Sequence, residues 1–184
     1  MTASSPNTAP GSEILAICRP SLTISTAPCR RMNSCPVVDP AARYEFARQV
    51  NRTDLIIRHD GYFGSFQTME ECSLTRILQR QEQIELPPTL ILHGTADLNV
   101  PVSHVEAFAD AYRAAAMRRQ VTASSSAEEA TAGYKAVGGV MELQEYPGMP
   151  HYFLHPAVAK GTLPERGIQA LEEFIARQVT RLTA

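Results

Sequence analysis

The chain has 184 residues, of which 44% are hydrophobic and 20% charged, so it has the length and composition of one globular domain with its own core. Its formal net charge of -2 excludes the strongly basic surface by which proteins bind nucleic acid, and no apolar run approaches the roughly 20 residues of a membrane span. We therefore expect neither a nucleic-acid partner nor a membrane partner. The first residues lack the basic and apolar parts of a secretion signal, which predicts a cytoplasmic protein.

Residues 1–33 differ in composition from the rest of the chain. They are rich in Ser, Thr, Pro, Cys and Arg, and their two short apolar runs, Ile14–Cys18 and Leu22–Ser25, are interrupted by prolines. This pattern predicts a poorly ordered N-terminus followed by a single domain over residues 34–184. The four cysteines have no C-x-x-C spacing and no neighbouring histidine pair, so we expect free thiols and no metal site.

The first half of the predicted domain is mostly helical. Cys35–Pro40 has the pattern of a strand end that runs into a loop, and Ala41–Val50 that of a short helix. Asp54–Phe66 contains two glycines and is predicted to be a loop. Apolar residues at helical spacing predict one further helix over Thr68–Gln81.

The second half alternates strands and helices. Thr89–His93 is a continuous apolar run typical of a buried parallel strand, and Ser103–Met117 carries an apolar stripe at helical spacing. Residues 118–137 are polar and predict an exposed insertion. Val140–Tyr146 then predicts a strand and Pro164–Leu182 a helix. This order predicts an α/β fold in which helices flank a short parallel sheet of three strands.

Two loops that follow predicted strands carry the candidate functional residues. Asp97 comes shortly after the strand Thr89–His93, and His151 shortly after Val140–Tyr146. Catalytic groups of open α/β sheets lie beyond the carboxyl ends of the strands, so we expect Asp97 and His151 to be neighbours. A carboxylate that accepts a hydrogen bond from an imidazole fixes its tautomer and stabilises its protonated form. The pattern therefore predicts an acid–histidine pair for catalysis.

The surrounding residues strengthen this prediction through a family resemblance. The resemblance is clearest in the stretches HGTADLNVP and YPGMPHYF, and it extends from Cys35 to Leu182 apart from the insertion. Over these residues the chain resembles the C-terminal part of α/β-hydrolase esterases, including acetyl-esterase and feruloyl-esterase members of the BD-FAE type. The resemblance implies a partial α/β-hydrolase fold, Asp97 as triad acid, His151 as triad base, a small-molecule ester as substrate and no cofactor. Prolyl-oligopeptidase-type hydrolases share both motifs, so a peptidase-type fragment remains an alternative.

This sequence has no counterpart of the nucleophile motif found in that family. The chain contains no G-x-S-x-G elbow, and the H-G-G loop that supplies the oxyanion hole in such esterases is also absent. This predicts a truncated ester hydrolase that is inactive alone and that can self-associate through an exposed sheet edge. Two alternatives stay open: a non-catalytic interaction module on a hydrolase remnant, and a small hydrolase whose nucleophile is Ser21, Ser25 or Ser34.

Overall fold

The fold is built from six helices and two strands in the part of the chain that the computed structural model describes, residues 36–125, 140–151, 153–154 and 161–183. In chain order these elements are α1 (Pro40–Gln49), α2 (Thr53–Phe63), α3 (Phe66–Cys72), α4 (Leu74–Gln79), β1 (Thr89–Gly94), α5 (Val102–Ser125), β2 (Met141–Tyr146) and α6 (Leu163–Thr183). The segment expected to be a poorly ordered N-terminus, residues 1–33, lies outside these ranges.

The two strands form a parallel pair that is covered on both faces. Thr89 of β1 is in register with Met141 of β2, and Gly94 with Tyr146. Successive residues of β1 point to opposite faces: Ile91 packs with Phe108 of α5, whereas Leu90 and Leu92 pack with α6. Helices thus cover both sides of a short parallel sheet, and the predicted α/β class is confirmed.

The sheet has fewer strands than the sequence predicts. Within the described ranges it contains two strands instead of three, because residues 36–39 form no strand next to β1. Asp39 instead caps α1: its Oδ1 accepts a hydrogen bond of 2.9 Å from the backbone N–H of Ala42, and Pro40 occupies the first turn. The short helix predicted over Ala41–Val50 is confirmed.

The predicted loop over Asp54–Phe66 is wrong, since α2 occupies most of it. Leu55 and His59, four residues apart, are buried on one side of this helix. Gly61 lies inside the helix, and the helix ends at Gly64, whose φ of 72° is a left-handed conformation that favours glycine. The first glycine is therefore not a helix terminator and only the second is.

The single helix predicted over Thr68–Gln81 is also wrong, because it is divided into α3 and α4. Ser73 interrupts it with an extended ψ of 115°, and its hydroxyl accepts a hydrogen bond of 3.2 Å from the backbone N–H of Arg76, which begins the next helix. Cys72, the last residue of α3, is disulfide-bonded, so the expectation of free thiols is wrong for this cysteine. The other three cysteines lie outside the described residues.

The last two helices begin close to where they are predicted. α5 runs to Ser125, eight residues beyond the predicted end at Met117 and into the expected insertion 118–137. Residues 118–121 are exposed, as an insertion should be, but they are helical. The remainder of the insertion from 126 to 137 lies outside the described residues. Among the described residues no helix is both long enough and apolar enough to cross a membrane.

Candidate functional site

The loops that follow β1 and β2 are joined to each other by backbone hydrogen bonds. The backbone N–H of Thr95 donates to the carbonyl of Tyr146 at 3.1 Å, and that of Ala96 to the carbonyl of Met149 at 3.0 Å. Gly94 permits this approach, because a Cβ at this position would lie 2.1 Å from the Met149 carbonyl oxygen. The two loops therefore form one rigid unit at the carboxyl edge of the sheet.

Asp97 lies in the first of these loops and is 6% exposed. Its Oδ1 accepts two backbone hydrogen bonds, from Asn99 N–H at 2.7 Å and from Val100 N–H at 3.0 Å. This local turn is common for aspartate in loops, because the short side chain reaches the backbone two or three residues ahead. With Oδ1 occupied in this way, the turn fixes the direction of the second carboxylate oxygen.

The second oxygen of Asp97 meets His151. Asp97 Oδ2 lies 2.7 Å from His151 Nδ1, and the imidazole is mostly buried, with 12% of its side chain exposed. The expected contact between Asp97 and His151, at the carboxyl ends of adjacent parallel strands, is thus present. Because an ionised carboxylate only accepts hydrogen bonds, Nδ1 carries the hydrogen, and in the neutral ring the lone pair is on Nε2. That is the tautomer that a general base requires.

The surroundings of Asp97 keep it ionised. Burial by itself raises the pKa of this carboxyl group, but the hydrogen bonds from His151, Val100 and Asn99 favour the charged form. The hydrogen bonds outweigh burial, so the pKa of Asp97 lies below its ordinary value. The carboxylate is therefore available to stabilise a protonated His151 at neutral pH.

Sequence reasoning placed the pair but missed the groups that hold it. One of these groups is His93, whose Nε2 lies 2.9 Å from the Val100 carbonyl oxygen and 3.8 Å from Asp97 Oδ2. The i, i+4 spacing of a histidine and an aspartate across a strand end is the sequence signal for this contact. His104 is partly buried beside Phe46. His155 lies outside the described residues.

Serines near the start of the described region have structural roles. The hydroxyl of Ser65 accepts a hydrogen bond from Thr68 N–H at 3.1 Å and caps α3, as Ser73 caps α4. The alternative nucleophiles Ser21, Ser25 and Ser34 lie outside the described residues. Within the described ranges no three His, Cys, Asp or Glu side chains come together as a metal site would require.

Comparisons with known proteins give one structural likeness. No family model matches the chain, and no curated protein matches it. A solved structure of Thermogutta terrifontis esterase 2 phosphonylated by sarin is similar to it, with 22% sequence identity and a TM-score of 0.45. The match covers 67% of this chain and 35% of that esterase, so the chain spans about a third of its length. At this identity and TM-score the likeness supports no conclusion about the family or the activity of this chain.

Proposed function

We propose that this chain supplies the acid and the general base of a serine-hydrolase centre that cleaves carboxylic esters. The observation that carries the proposal is the 2.7 Å contact between Asp97 Oδ2 and His151 Nδ1 at the carboxyl edge of the sheet. A buried, ionised carboxylate bound to Nδ1 leaves Nε2 as the basic nitrogen. This is the arrangement that activates a hydroxyl nucleophile.

The chemistry follows from the two side chains. Nε2 of His151 takes the proton of a serine hydroxyl as its oxygen attacks the ester carbonyl, and Asp97 stabilises the imidazolium that forms. The imidazolium then gives the proton to the departing alcohol, which leaves an acyl-serine. Water attacks the acyl group with His151 again as base, and the proton returns to the serine oxygen when the acid is released. The cycle consumes one ester and one water and needs no cofactor.

The nucleophile in this proposal comes from outside the present sequence. The 184 residues contain no G-x-S-x-G elbow, and Ser65 and Ser73 cap helices. The chain alone should then have no esterase activity, whereas a polypeptide that adds the elbow and an oxyanion hole should complete the centre. The family resemblance makes a small-molecule carboxylic ester the expected substrate.

The experiment uses two preparations: this chain fused to the polypeptide encoded directly upstream, and the two polypeptides expressed separately and mixed. Hydrolysis of p-nitrophenyl acetate is followed in both. In an active preparation, Asp97→Asn should lower kcat by about 10⁴-fold, because an amide selects the wrong imidazole tautomer. Asp110→Asn is the matched control, since Asp110 is on the surface of α5 with 78% of its side chain exposed. Turnover that is unaffected by both Asp97→Asn and His151→Ala would contradict the proposal.

A non-catalytic interaction module is the second candidate, and the missing G-x-S-x-G elbow is the observation that favours it. An upstream coding region without an elbow, together with no turnover in any preparation, would support it. Labelling of the chain alone by a fluorophosphonate would instead indicate a nucleophile among Ser21, Ser25 and Ser34. A peptidase-type centre would cleave a peptide anilide in preference to p-nitrophenyl acetate.

A further inference from the structure

His93 is a buried histidine whose position packing alone does not explain. It is the second-last residue of β1 and is 0% exposed. Its Nε2 must donate to the Val100 carbonyl, which only accepts, so Nδ1 of the neutral ring is an acceptor. That buried Nδ1 has no hydrogen-bond partner among the described residues. An apolar side chain of similar volume would avoid the cost of burying an unpartnered nitrogen. Packing therefore does not explain why a histidine occupies this position, and the hydrogen bond of its Nε2–H group does.

The hydrogen bond of His93 acts on the residue that fixes Asp97. The carbonyl of Val100 accepts from His93, while the N–H of the same residue donates to Asp97 Oδ1 at 3.0 Å. Val100 is 1% exposed, so water does not replace these bonds. His93 thereby closes a chain of contacts that begins in β1 and ends at the Asp97 carboxylate.

A second contact reaches the other carboxylate oxygen. His93 Nε2 lies 3.8 Å from Asp97 Oδ2, the atom that accepts from His151. This distance is too long for a hydrogen bond, and the Nε2–H hydrogen points to the Val100 carbonyl, so the imidazole lies against the carboxylate without bonding to it. His93 therefore contacts both the turn that holds Asp97 and the carboxylate oxygen that faces His151.

We propose that His93 is a positioning residue: its Nε2–H bond to the Val100 carbonyl sets the turn that presents Asp97 Oδ2 to His151 Nδ1. The inference rests on the proposed function, because it assigns a third member to the same site. His93 touches no reacting atom and acts through Val100 and Asp97.

The test compares two amide substitutions in the full chain. His93→Gln places an amide nitrogen where Nε2 lies and keeps the donor, whereas His93→Asn is polar but too short to reach the Val100 carbonyl. His59→Asn is the control for loss of a buried histidine, since His59 is 3% exposed and bonds to the Leu55 carbonyl within its own helix. All variants are examined by nuclear magnetic resonance under identical solution conditions.

Two signals report the position of Asp97. The first is the far-downfield resonance of the proton between Asp97 and His151, and the second is amide hydrogen exchange of Asn99 and Val100. His93→Asn should abolish the resonance and accelerate exchange of these two amides by about tenfold, the value of one lost hydrogen bond. His93→Gln should keep both signals, and His59→Asn should leave them unchanged. A purely structural role for His93 would instead accelerate exchange throughout the core.

The outcomes separate this inference from the proposed function. If the downfield resonance is missing from the unaltered chain, both fail, because the pair itself is not formed. If the resonance is present in the unaltered chain and is still present in His93→Asn, only the positioning role fails. The same holds if His93→Asn accelerates amide exchange uniformly over the core. If His93→Asn does not fold, the nitrogen-15 shifts of His93 in the unaltered chain decide: hydrogen on Nε2 supports the role, and hydrogen on Nδ1 overturns it.

Discussion

The close approach at Gly94 gives a prediction whose size can be worked out from the structure. In Gly94→Ala the new Cβ would lie 2.1 Å from the carbonyl oxygen of Met149 and 2.6 Å from its carbonyl carbon. Ordinary contact begins at 3.4 Å, so the two loops must separate by about 1.3 Å. The obstacle is backbone and cannot rotate away, so the shift falls on the loop that carries His151.

This shift should cost both stability and the acid–histidine contact. Overpacking of this kind destabilises a domain by about 1–3 kcal/mol. For a chain of this length, that corresponds to a fall in Tm of roughly 2–12 °C. Since Asp97 Oδ2 and His151 Nδ1 are 2.7 Å apart, a displacement of about 1 Å takes them beyond hydrogen-bond distance. Differential scanning calorimetry measures the first effect, and the downfield proton resonance measures the second.

The same substitution at another glycine is the matched control. Gly61 is inside α2, and a Cβ added there meets nothing within 4 Å. Gly61→Ala should therefore stabilise the chain by about 0.5–1 kcal/mol, since alanine favours a helix, and should leave the resonance unchanged. If Gly94→Ala melts at the temperature of the unaltered chain and keeps the resonance, the loops are not held at this distance and the reasoning is refuted.

Three further predictions concern charge, activity and association. The pKa of Asp97 is lowered, so its stabilising effect should be complete above the unfolded-chain value of about 3.9 and lost as pH falls through the lower folded value. Melting curves over this pH range should show Asp97→Asn less stable than the unaltered chain at neutral pH, with the difference vanishing in acid. On p-nitrophenyl acetate the purified chain should show no turnover above background, and an activity abolished by His151→Ala would contradict this. Sedimentation velocity should show concentration-dependent association, because β1 borders an apolar groove of about 470 Å³. Ile175→Lys at the groove, where this residue is 50% exposed, should reduce association, whereas Val179→Lys, at 55% exposure outside the groove lining, should not.

The elements that the sequence predicted well are those whose signal is local. β1 is a short apolar segment and β2 a short segment in which apolar and polar residues are interspersed, and their ends define the loops that contain Asp97 and His151. Since the carboxyl ends of parallel strands meet at one edge, the contact between these residues followed from the order of elements. No atomic detail was needed for that step.

The wrong helix boundaries occur where the backbone conformation is not determined by the spacing of apolar residues. One apolar pattern covers Thr68–Gln81, but the hydroxyl of Ser73 offers the next helix a cap and so divides it. α5 continues past Met117 without an apolar stripe, because the residues from Arg118 onward include no proline or glycine before Gly133. Apolar periodicity indicates which side of a helix is buried, so it does not detect a helical segment that is exposed on all sides.

The third participant in the site shows a different limit of sequence reasoning. Asp97 and His151 can be recognised because each has a chemical role that its residue type suggests. His93 acts on the same carboxylate through the backbone of Val100, which any residue type could supply. Its role therefore depends on a loop conformation, and only the folded chain shows that Val100 presents its carbonyl to His93 and its N–H to Asp97. His59 is also a buried imidazole with one unpartnered nitrogen, but it bonds within its own helix, whereas His93 bonds to the residue that holds the Asp97 carboxylate. The partner of the bonded nitrogen is therefore the feature that identifies such a residue.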